Sequence, residues 1–587
     1  MRTIDQFMWG YQPHFRMSFE GAAERALERI GVALDPTAML VGFRATEDSN
    51  RLPICVEPET GGIKPSDLSG VREDGQARYG ASSDARMFHS DPGLNASSHA
   101  RYRDRHRADA LAAALAAAPG GSGRVFFVGY SQRVEEHEVH PVISVDSDAI
   151  SSLPRLSTTK HTNMHMTVSL PIGVIEQLLT IATKSMAFRE APSHLTMLSE
   201  RPAEDAVRAA AEALVYSVAT MTGNFLAHSF YEGMSELVTM PYEGRAGAGA
   251  LCLAKKDHPN VRVAIRLLNP VDVTAGREFR KVLELTRPGL DLLCDGDSIY
   301  GLGEVSDAYD GATEDVFRCS VVARGTWELE HCGTPLMRVV HSNPVVPRPP
   351  ISERRFLDTI KRVFTAIDDA EAGHLWQIAL VASQAPHGTM LVISDAAAEE
   401  TTRLAPQAIA IEPQQIPADM FQSFTSIDGS LLLAPDGTCH AVGVILDGSA
   451  AGVGDAGRGA RYNSAIRYVQ TTRVPCVVLI VSEDGMIDIY PELAPRVAAS
   501  QVEDAVRSLE VAAAAEPPNF EMIYKCRKEV ERLAFYLNED QVERSNAATQ
   551  KAEDNRERLS QMRVYLAPFE IDPRMDSEFF TDLEAET

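Results

Sequence analysis

Apolar and polar positions over the first 343 residues follow helical spacing in some stretches and strand spacing in others. Apolar residues recur every three or four positions in FEGAAERALERIGVAL, RADALAAALAAAP and IGVIEQLLTIATKSMAF, which predicts helices, and PAEDAVRAAAEALVYSVATMTGNFLAHSFYEGM predicts one long helix. Short apolar runs predict strands in AMLVGF, RVFFVGY, HMTVSLP, VRVAIRLL and FRCSVVARG. The polar segment 44–104 predicts a long loop. Residues 1–343 are therefore expected to form a mixed α/β region of one or two subdomains.

A proline-rich stretch follows this region. Prolines fix φ and remove backbone donors, so residues 344–350 are expected to form an extended linker. SERRFLDTIKRVFTAIDDAEA then predicts a helix, with Ser352 as its N-cap. The runs WQIALVAS, TMLVISD, SLLLAP, HAVGVIL and PCVVLIVSEDGMIDIY predict short strands. The pattern indicates a compact α/β domain over residues 351–515.

The last segment, residues 516–587, is charged and has the spacing of helices. Its apolar residues form only a narrow stripe, which consists of Phe520, Ile523, Val530, Leu533 and Leu537. This C-terminal helical tail is expected to be a helical cap or an oligomerisation arm.

The amino-acid composition excludes several classes of protein. The 587 residues include 56 Lys and Arg against 82 Asp and Glu, a net charge of −26 that repels nucleic acid and anionic lipid. Eight dispersed cysteines without a C-x-x-C pair are typical of a reducing compartment. We see no signal peptide and no apolar run long enough to span a membrane. We therefore expect a cytoplasmic protein that is neither a membrane protein nor a general nucleic-acid binder.

Three polar clusters occur in order within residues 351–515. Asp428 and Gly429 stand at the entrance of a predicted strand, where a carboxylate lies beside accessible backbone. The second cluster, DAGRGARYNSA, combines glycines and two arginines with a predicted helix start, which suits phosphate. Ser482 and Glu483 follow the strand CVVLIV, where α/β sheets place ligand-binding groups. Each cluster alone is also typical of a turn or a solvated connection.

Taken together, the order and spacing of these clusters resemble the diadenylate cyclase (DAC) family. The family's Asp-Gly-Ala motif appears here as Asp428-Gly429-Ser430, its Gly-Thr-Arg-His-Arg motif as the residues from Gly459 to Asn463, and its Ser-Glu-Glu-like strand end as Ser482-Glu483-Asp484. The likeness covers about 160 residues and implies a domain with a central mixed sheet.

The resemblance implies an activity and a set of site residues. Two ATP molecules on two facing DAC domains would condense to cyclic di-AMP and two pyrophosphates, which requires a homo-oligomer. Mg²⁺ or Mn²⁺ would bind Asp428 and Glu483, and Arg461 would be the third catalytic residue. The implied nucleotide-binding residues are Gly429, Ser430, Leu446, Gly459, Ala460, Asn463, Ser464 and Ser482. Residues 1–343 would be a sensor or regulatory region for an unknown signal.

The second motif departs from the family pattern. Ala460 replaces a threonine, Tyr462 a histidine and Asn463 an arginine, so one cation is lost unless Arg458, Arg467 or a neighbouring subunit compensates. A second hypothesis is therefore a catalytically degenerate DAC domain that binds a nucleotide and signals to a partner. Arg461 serves both hypotheses, whereas a metal-binding Asp428 is required only for catalysis.

Two further clusters are given structural interpretations. His137, His140, His161 and His165 could bind Zn²⁺, but without an H-E-x-x-H pattern they are expected to be surface histidines on strands. The arginines at positions 101, 103, 105 and 107 are expected to form a solvated helix start or to contact local carboxylates.

Overall fold

The computed structural model describes residues 6–46, 50–59, 62–157, 166–188, 192–195, 201–225, 227–241, 249–347, 353–383, 388–425, 427–447, 460–481, 487–560 and 566–581. The chain divides into two compact units, residues 3–347 and residues 348–587. Within the described ranges, no helix has both the length and the apolar character that crossing a membrane would require.

The first unit begins with a five-stranded antiparallel sheet between two helical layers. Its strands are β1 (Thr37–Arg44), β2 (Ile54–Glu57), β3 (Arg124–Val128), β4 (Gln132–Val134) and β5 (His137–Asp146). The strand order is β2-β1-β5-β3, and β4 pairs with β5. The helices are α1 (Gln12–Arg29), α2 (Val71–Ala81), α3 (Pro92–Ala117), α4 (Ser147–Ser151), α5 (Leu170–Met186) and α6 (Pro202–Met221).

Successive side chains of β1 pack against the two opposite faces of this sheet in turn. Leu40 packs into the core that contains α1, α5 and α6, whereas its neighbour Val41 packs into the core that contains Leu111 of α3 and Val71 of α2. Successive strand residues point to opposite faces, so a run of apolar residues marks a strand covered on both sides.

The rest of the first unit is an eight-stranded sheet with two shorter helices. The helices are α7 (Phe230–Leu237) and α8 (Gly276–Leu283). The strands are β6 (Gly249–Ala254), β7 (Val261–Asp272), β8 (Asp291–Cys294), β9 (Ser298–Val305), β10 (Val316–Ala323), β11 (Thr326–His331), β12 (Thr334–Val340) and β13 (Asn343–Val345). The strand order is β13-β12-β11-β10-β6-β8-β9-β7, in which β6 and β8 run parallel.

The second unit contains a six-stranded mixed sheet, as expected. The strands are β14 (Thr389–Ser394), β15 (Ile409–Gln414), β16 (Ser430–Leu433), β17 (Cys439–Val444), β18 (Cys476–Val481) and β19 (Ile487–Tyr490). Their order is β15-β17-β16-β14-β18-β19, with β14 and β16 parallel. The helices around the sheet are α9 (Glu353–Val363), α10 (Asp369–Ser383), α11 (Ala397–Arg403), α12 (Ala418–Thr425) and α13 (Ala460–Thr471).

Helices cover both faces of this sheet, which gives three layers. Leu391 of β14 packs with Phe356 of α9 and Trp376 of α10, whereas Val392 packs with Tyr468 of α13. The two cores are separated by the sheet, and α13 is fixed on one face of it.

Three helices close the chain: α14 (Ala499–Ala514), α15 (Phe520–Arg532) and α16 (Glu539–Ser560). They share a core of their own, in which Val506 and Leu509 of α14 pack with Val530 of α15 and Ala552 of α16. The helical packing therefore begins at Ala499. This C-terminal part also meets α9, since the Arg362 guanidinium lies 4.3 Å from the centre of the Phe579 ring.

Several predictions of secondary structure were wrong. The longest segment that was predicted wrongly is 44–104. It contains β2, α2 and the beginning of α3 instead of a long loop. Helix α2 buries only Val71, Gly75 and Tyr79, one residue per turn, and its other residues are mainly polar. A helix that buries so narrow a stripe shows little hydrophobic periodicity.

The run WQIALVAS was expected to be a strand and is the second half of α10. Its apolar residues are too few to distinguish the two structures by themselves. The buried positions Ala372, Leu375, Trp376, Ala379 and Ala382 have helical spacing, which becomes visible only when the polar residues before the run are included.

The expected long helix after residue 201 is two helices, α6 and α7. Gly223 has φ +96°, and the Asn224 N–H donates to the Ala219 carbonyl at 3.0 Å, which ends α6 with a left-handed glycine. Similarly, HMTVSLP is not a strand over its described residues 166–171, because Ser169 caps α5 and accepts from the Ile172 N–H at 3.4 Å.

The proline-rich linker begins later than expected. Pro344 lies in β13 opposite Val339, at the edge of the eight-stranded sheet. An edge strand tolerates proline because its missing N–H faces away from the ladder. Residues 348–350 lie outside the described residues.

The two histidines on β5 are buried, not on the surface as expected. His140 is fully buried, and its Nδ1 donates to the Gly129 carbonyl at 2.9 Å. His137 is also fully buried and lies 3.1 Å from the Leu52 carbonyl. Burial lowers the pKa of both histidines. His161 and His165 lie outside the described residues.

Candidate functional site

The register of the second-unit sheet brings the predicted motifs to one end of it. β14 and β16 are parallel with Met390 beside Ser430, so both strands begin at this end. β18 is antiparallel to β14, and its last residue, Val481, lies beside Thr389. The end of β18 is therefore two strands away from the start of β16. We call this the site end of the sheet.

β17 finishes at the site end as well. It is antiparallel to β16, and its last residue, Val444, pairs with Ser430. The chain enters β16 through Asp428 and Gly429 at the same place where it leaves β17 towards Leu446. Motifs that are far apart in the sequence are thus joined by strand pairing.

Gly429 occupies a position that other residues cannot adopt without strain. Its φ is +112°, and a Cβ added there would lie 2.6 Å from the carbonyl carbon of Gly443 on β17. Gly443 also has a positive φ, of +62°. The two glycines let β16 and β17 approach closely just before Ser430, and this approach fixes the backbone that carries Asp428.

The side chains of Ser430 and Leu446 mainly stabilise the fold. Ser430 is buried, and its hydroxyl donates to the Val444 carbonyl at 3.0 Å. Leu446 is 7% exposed and belongs to the apolar cluster that contains Ala465 and Tyr468 of α13. The Ser430 hydroxyl is thus bonded within the sheet, and the Leu446 side chain is largely covered by α13.

Asp428 and Arg461 are the two predicted site residues that lie close together. Helix α13 begins at Ala460, and Arg461 in its first turn places Nη2 3.7 Å from Asp428 Oδ1. The Asp428 carboxylate is fully exposed, and its Oδ1 accepts from the Gly429 N–H at 3.1 Å. A carboxylate and a guanidinium therefore stand at the site end, beside a helix start that carries partial positive charge.

The remaining predicted residues divide into two groups. Asn463 and Ser464 are partly exposed and lie in the first turns of α13. Gly459, Ser482 and Glu483 lie outside the described residues. Ser482 and Glu483 directly follow Val481 in the sequence, which is at the site end.

An ionic network next to the site end was missed by the sequence reasoning. Arg403 at the end of α11 donates from Nη1 and Nη2 to the two Asp447 carboxylate oxygens, at 2.6 and 2.9 Å. Arg403 also binds Glu400 through Nε at 2.8 Å and Nη2 at 2.7 Å. The buried Tyr468 of α13 donates its hydroxyl to Glu400 Oε2 at 2.6 Å.

This network ties the chain after β17 to α11 and α13. The hydrogen bonds from Arg403 are the main reason that the pKa values of Glu400 and Asp447 lie below their ordinary values. Burial, helped by the Glu400 carboxylate, raises the pKa of Tyr468. The sequence shows only the Glu400–Arg403 spacing on one helix; the partners Asp447 and Tyr468 are 44 and 68 residues away.

The donor set at the site end fits one mode of cation binding. Mg²⁺ commonly binds one or two carboxylates together with substrate phosphates. The exposed Asp428 carboxylate, with Oδ2 pointing to no partner that the described residues supply, suits that mode. Across the described ranges no group of three or more His, Cys, Asp or Glu could hold a metal ion, so an all-protein cage is not formed there.

Three parts of the chain match models of known protein families. Residues 379–493 match the family model "DisA bacterial checkpoint controller nucleotide-binding", abbreviated DAC. Residues 8–215 match "Probable sensor domain DACNG", and residues 228–333 match "Probable sensor domain DACNH". No curated protein sequence matches the chain.

Among solved structures, a crystal structure of a double mutant of DacA from Staphylococcus aureus matches with 14% sequence identity and a TM-score of 0.17. The match covers 23% of this chain and 81% of that chain. The family matches, in contrast, span three successive parts of the sequence. Residues 379–493 are therefore a DAC-type domain, and the two segments before it match models of probable sensor domains.

Proposed function

We propose that the protein is a diadenylate cyclase that condenses two ATP molecules into cyclic di-AMP and two pyrophosphates. The observation that carries the proposal is the convergence of Asp428, Arg461 and the start of α13 at the site end, within a domain that matches the DAC model. This arrangement offers a carboxylate for a cation, and a guanidinium at a helix N-terminus for phosphate.

In the proposed reaction, the 3′-oxygen of each ATP attacks the α-phosphorus of the other. A new oxygen–phosphorus bond forms, the bond to the β-phosphate bridging oxygen breaks, and the hydroxyl proton passes to solvent. Arg461 neutralises charge on the phosphate oxygens, and the Gly429 backbone lets the nucleotide approach closely. Catalysis by these residues is positioning and electrostatic stabilisation.

A divalent cation fits beside Asp428, with Glu483 as the second proposed ligand. When bound, Mg²⁺ or Mn²⁺ would polarise the α-phosphate and favour ionisation of the attacking hydroxyl. The residues proposed to hold nucleotide are Gly429, Ser430, Leu446, Gly459, Ala460, Asn463, Ser464 and Ser482. For Ser430 the contact would come from its backbone, since its hydroxyl is bonded to Val444.

A second candidate function follows from the altered motif. Ala460, Tyr462 and Asn463 stand where the family has threonine, histidine and arginine, so the site offers one cation fewer. In that alternative, the domain binds a nucleotide through Arg461 without turnover and passes a signal to a partner. Residues 1–343 would in both cases act as the sensor or regulatory part.

Product formation separates the two functions. The full-length protein is incubated with ATP and either Mn²⁺ or Mg²⁺, and cyclic di-AMP and pyrophosphate are quantified by mass spectrometry and a coupled assay. We expect two pyrophosphates per cyclic di-AMP. In Asp428→Asn, turnover should fall at least 100-fold while ATP binding remains within about threefold, because the carboxylate is needed for the reacting phosphate rather than for affinity.

Asp436→Asn is the matched control. Asp436 is exposed in the turn after β16, at the other end of that strand, and an asparagine can still accept from the Thr438 N–H. It should retain full turnover. Nucleotide binding without product in every metal condition would favour the sensor function, and unchanged turnover in Asp428→Asn would refute the role of that carboxylate.

A further inference from the structure

A cavity in the first unit is lined by residues none of which belongs to the proposed cyclase site. It has a volume of about 690 Å³ and is formed by α2, α3 and the chain around β4 and β5. Cavities of about 300–1,000 Å³ are the usual size for small-molecule sites. Its walls carry four arginines, at positions 72, 101, 103 and 107.

Arg107 forms the fixed base of this cavity. Its guanidinium donates to Glu138 at 2.5 Å, to Asp104 at 2.7 Å and to Ser131 at 2.8 Å. Its Nε donates to Nε2 of the fully buried His140 at 3.1 Å. His140 is held in turn by the Gly129 carbonyl, so Arg107 is immobilised by partners on several elements. Two carboxylates balance its charge.

The other three arginines have no carboxylate to balance them among the described residues. Arg72 donates to the Arg44 carbonyl and lies over the Phe43 ring, and Arg103 lies 5.2 Å from the centre of the Tyr79 ring. Neither partner carries a negative charge. Arg101 makes no hydrogen bond or ion pair with the described part of the chain. By contrast, Arg105 on the same helix, which is not part of the cavity, pairs with Asp84.

Helix geometry directs these charges to one place. Arg103 and Arg107 are one turn apart on α3, and Arg72 comes from the first turn of α2. The two helices are close because Gly75 of α2 packs on Arg107, where an added Cβ would lie 2.8 Å from the Arg107 Cα. The cavity lining carries four guanidinium groups against two carboxylates, a charge of +2 in a chain whose net charge is −26.

We propose that this cavity is a binding site for a small molecule that carries two or more negative charges on phosphate or carboxylate groups. Arginine presents a planar fork of donors that matches both groups. Tyr130 and Gln76, which also line the cavity, add side-chain hydrogen-bonding groups. The residues that line the cavity lie between residues 72 and 138, within the segment that matches the DACNG model.

Isothermal titration calorimetry on the full-length protein, without divalent cations, tests this proposal. Pyrophosphate and citrate are the two probes, one for each anionic group. We expect saturable binding of at least one probe to the wild type, which weakens when salt is raised from 50 to 300 mM. The double variant Arg101→Gln, Arg103→Gln should bind at least tenfold more weakly, because it removes two guanidinium groups that can donate charge-assisted hydrogen bonds to the anion.

Two controls locate the bound anion. Arg78→Gln removes an exposed arginine of α2 that pairs with Asp74 outside the cavity, and it should leave affinity unchanged. Arg461→Gln should retain the binding that the double variant loses, because Arg461 belongs to the cyclase-type domain and not to the cavity. The proposal is overturned if neither probe binds the wild type, if the double variant binds as the wild type does, or if only Arg461→Gln abolishes binding.

Discussion

At the residue scale, the backbone conformation of Gly429 determines where the neighbouring Asp428 is placed. Its φ of +112° lies in a region that favours glycine, and the Gly443 carbonyl carbon blocks the place of a Cβ at 2.6 Å. Replacing Gly429 with alanine should lower the free energy of unfolding by about 1–3 kcal/mol, from backbone strain together with the clash. It should also lower nucleotide affinity, because the added methyl group hinders the close approach of the nucleotide to the Gly429 backbone. Urea denaturation and ATP titration measure the two effects.

Gly373→Ala supplies the matched control for this prediction. Gly373 lies inside α10, and an added Cβ there would meet nothing within 4 Å. Alanine is favoured over glycine in a helix interior, so this variant should be as stable as the wild type or more stable by about 0.5–1 kcal/mol. Equal stability of Gly429→Ala and the wild type would show that β16 and β17 can separate without cost.

The sequence could indicate the candidate site but not what surrounds it. Asp428, Gly429 and Arg461 were identifiable because a carboxylate, a glycine and a helix-start arginine have distinctive spacing within one predicted domain. The hydrogen bond from the Ser430 hydroxyl to the Val444 carbonyl was not predictable, because it depends on which strand lies beside β16. Contacts of that kind are set by strand pairing, which the local pattern does not specify.

At the element scale, the Arg403 network holds three segments in place: α11, the chain that leaves β17, and α13. Replacing Arg403 with glutamine should destabilise the protein by about 1 kcal/mol at pH 7, a modest value because half of the Asp447 side chain is exposed. Because the network lies beside α13, the variant should also weaken ATP binding. Arg354→Gln, an exposed arginine on α9 outside the network, should change neither property.

The pH dependence of that destabilisation identifies its cause. The Arg403 hydrogen bonds lower the pKa of Glu400 from 4.5 and of Asp447 from 3.8. A carboxyl group whose pKa is lower in the folded protein stabilises it above its unfolded pKa, and this contribution is lost as the pH falls through the folded pKa. The stability difference between wild type and Arg403→Gln should therefore be constant from pH 7 to about pH 5 and shrink at lower pH. Urea denaturation across this range measures it, and an undiminished difference at pH 3 would indicate packing instead of charge.

The elements that were predicted correctly are those with a complete pattern. The strands β14, β16 and β18 are nearly continuous apolar runs bounded by turn residues, since both of their faces are covered by helices. The elements that were predicted wrongly have an incomplete apolar pattern. Helix α2 shows almost no apolar periodicity, and the apolar half of α10 is too short to show whether its period is 2 or 3.6.

At the scale of the whole molecule, the net charge of −26 describes the chain as a whole and does not give the local charge at the two candidate sites. The cavity between α2 and α3 is lined by four arginines against two carboxylates, and the start of α13 places Arg461 at a helix N-terminus that carries partial positive charge. Small phosphate-bearing ligands can therefore be bound by a chain whose overall field repels a polynucleotide. The same field acts between two copies of the chain, so self-association should be favoured by salt that screens it.

Self-association matters because each proposed active face holds one ATP and supplies half of the reacting groups. Turnover per chain should therefore fall on dilution, in proportion to the fraction of associated chains. Sedimentation velocity and cyclic di-AMP formation, measured over the same range of protein concentrations, should give one midpoint. Turnover per chain that stays constant while the protein dissociates to monomers would refute the two-chain reaction.

A mixing experiment tests the same requirement at fixed total association. The Arg461→Gln variant should associate normally but hold ATP poorly, so a wild-type chain paired with it lacks a second nucleotide. Adding a threefold excess of this variant to the wild type should lower product per wild-type chain about fourfold, because random pairing leaves only one wild-type chain in four with a wild-type partner. The Asp436→Asn variant in the same excess should not lower it, since that control retains both ATP and turnover. If the two variants behave alike in the mixture, each chain completes the reaction alone and the proposed two-chain geometry is wrong.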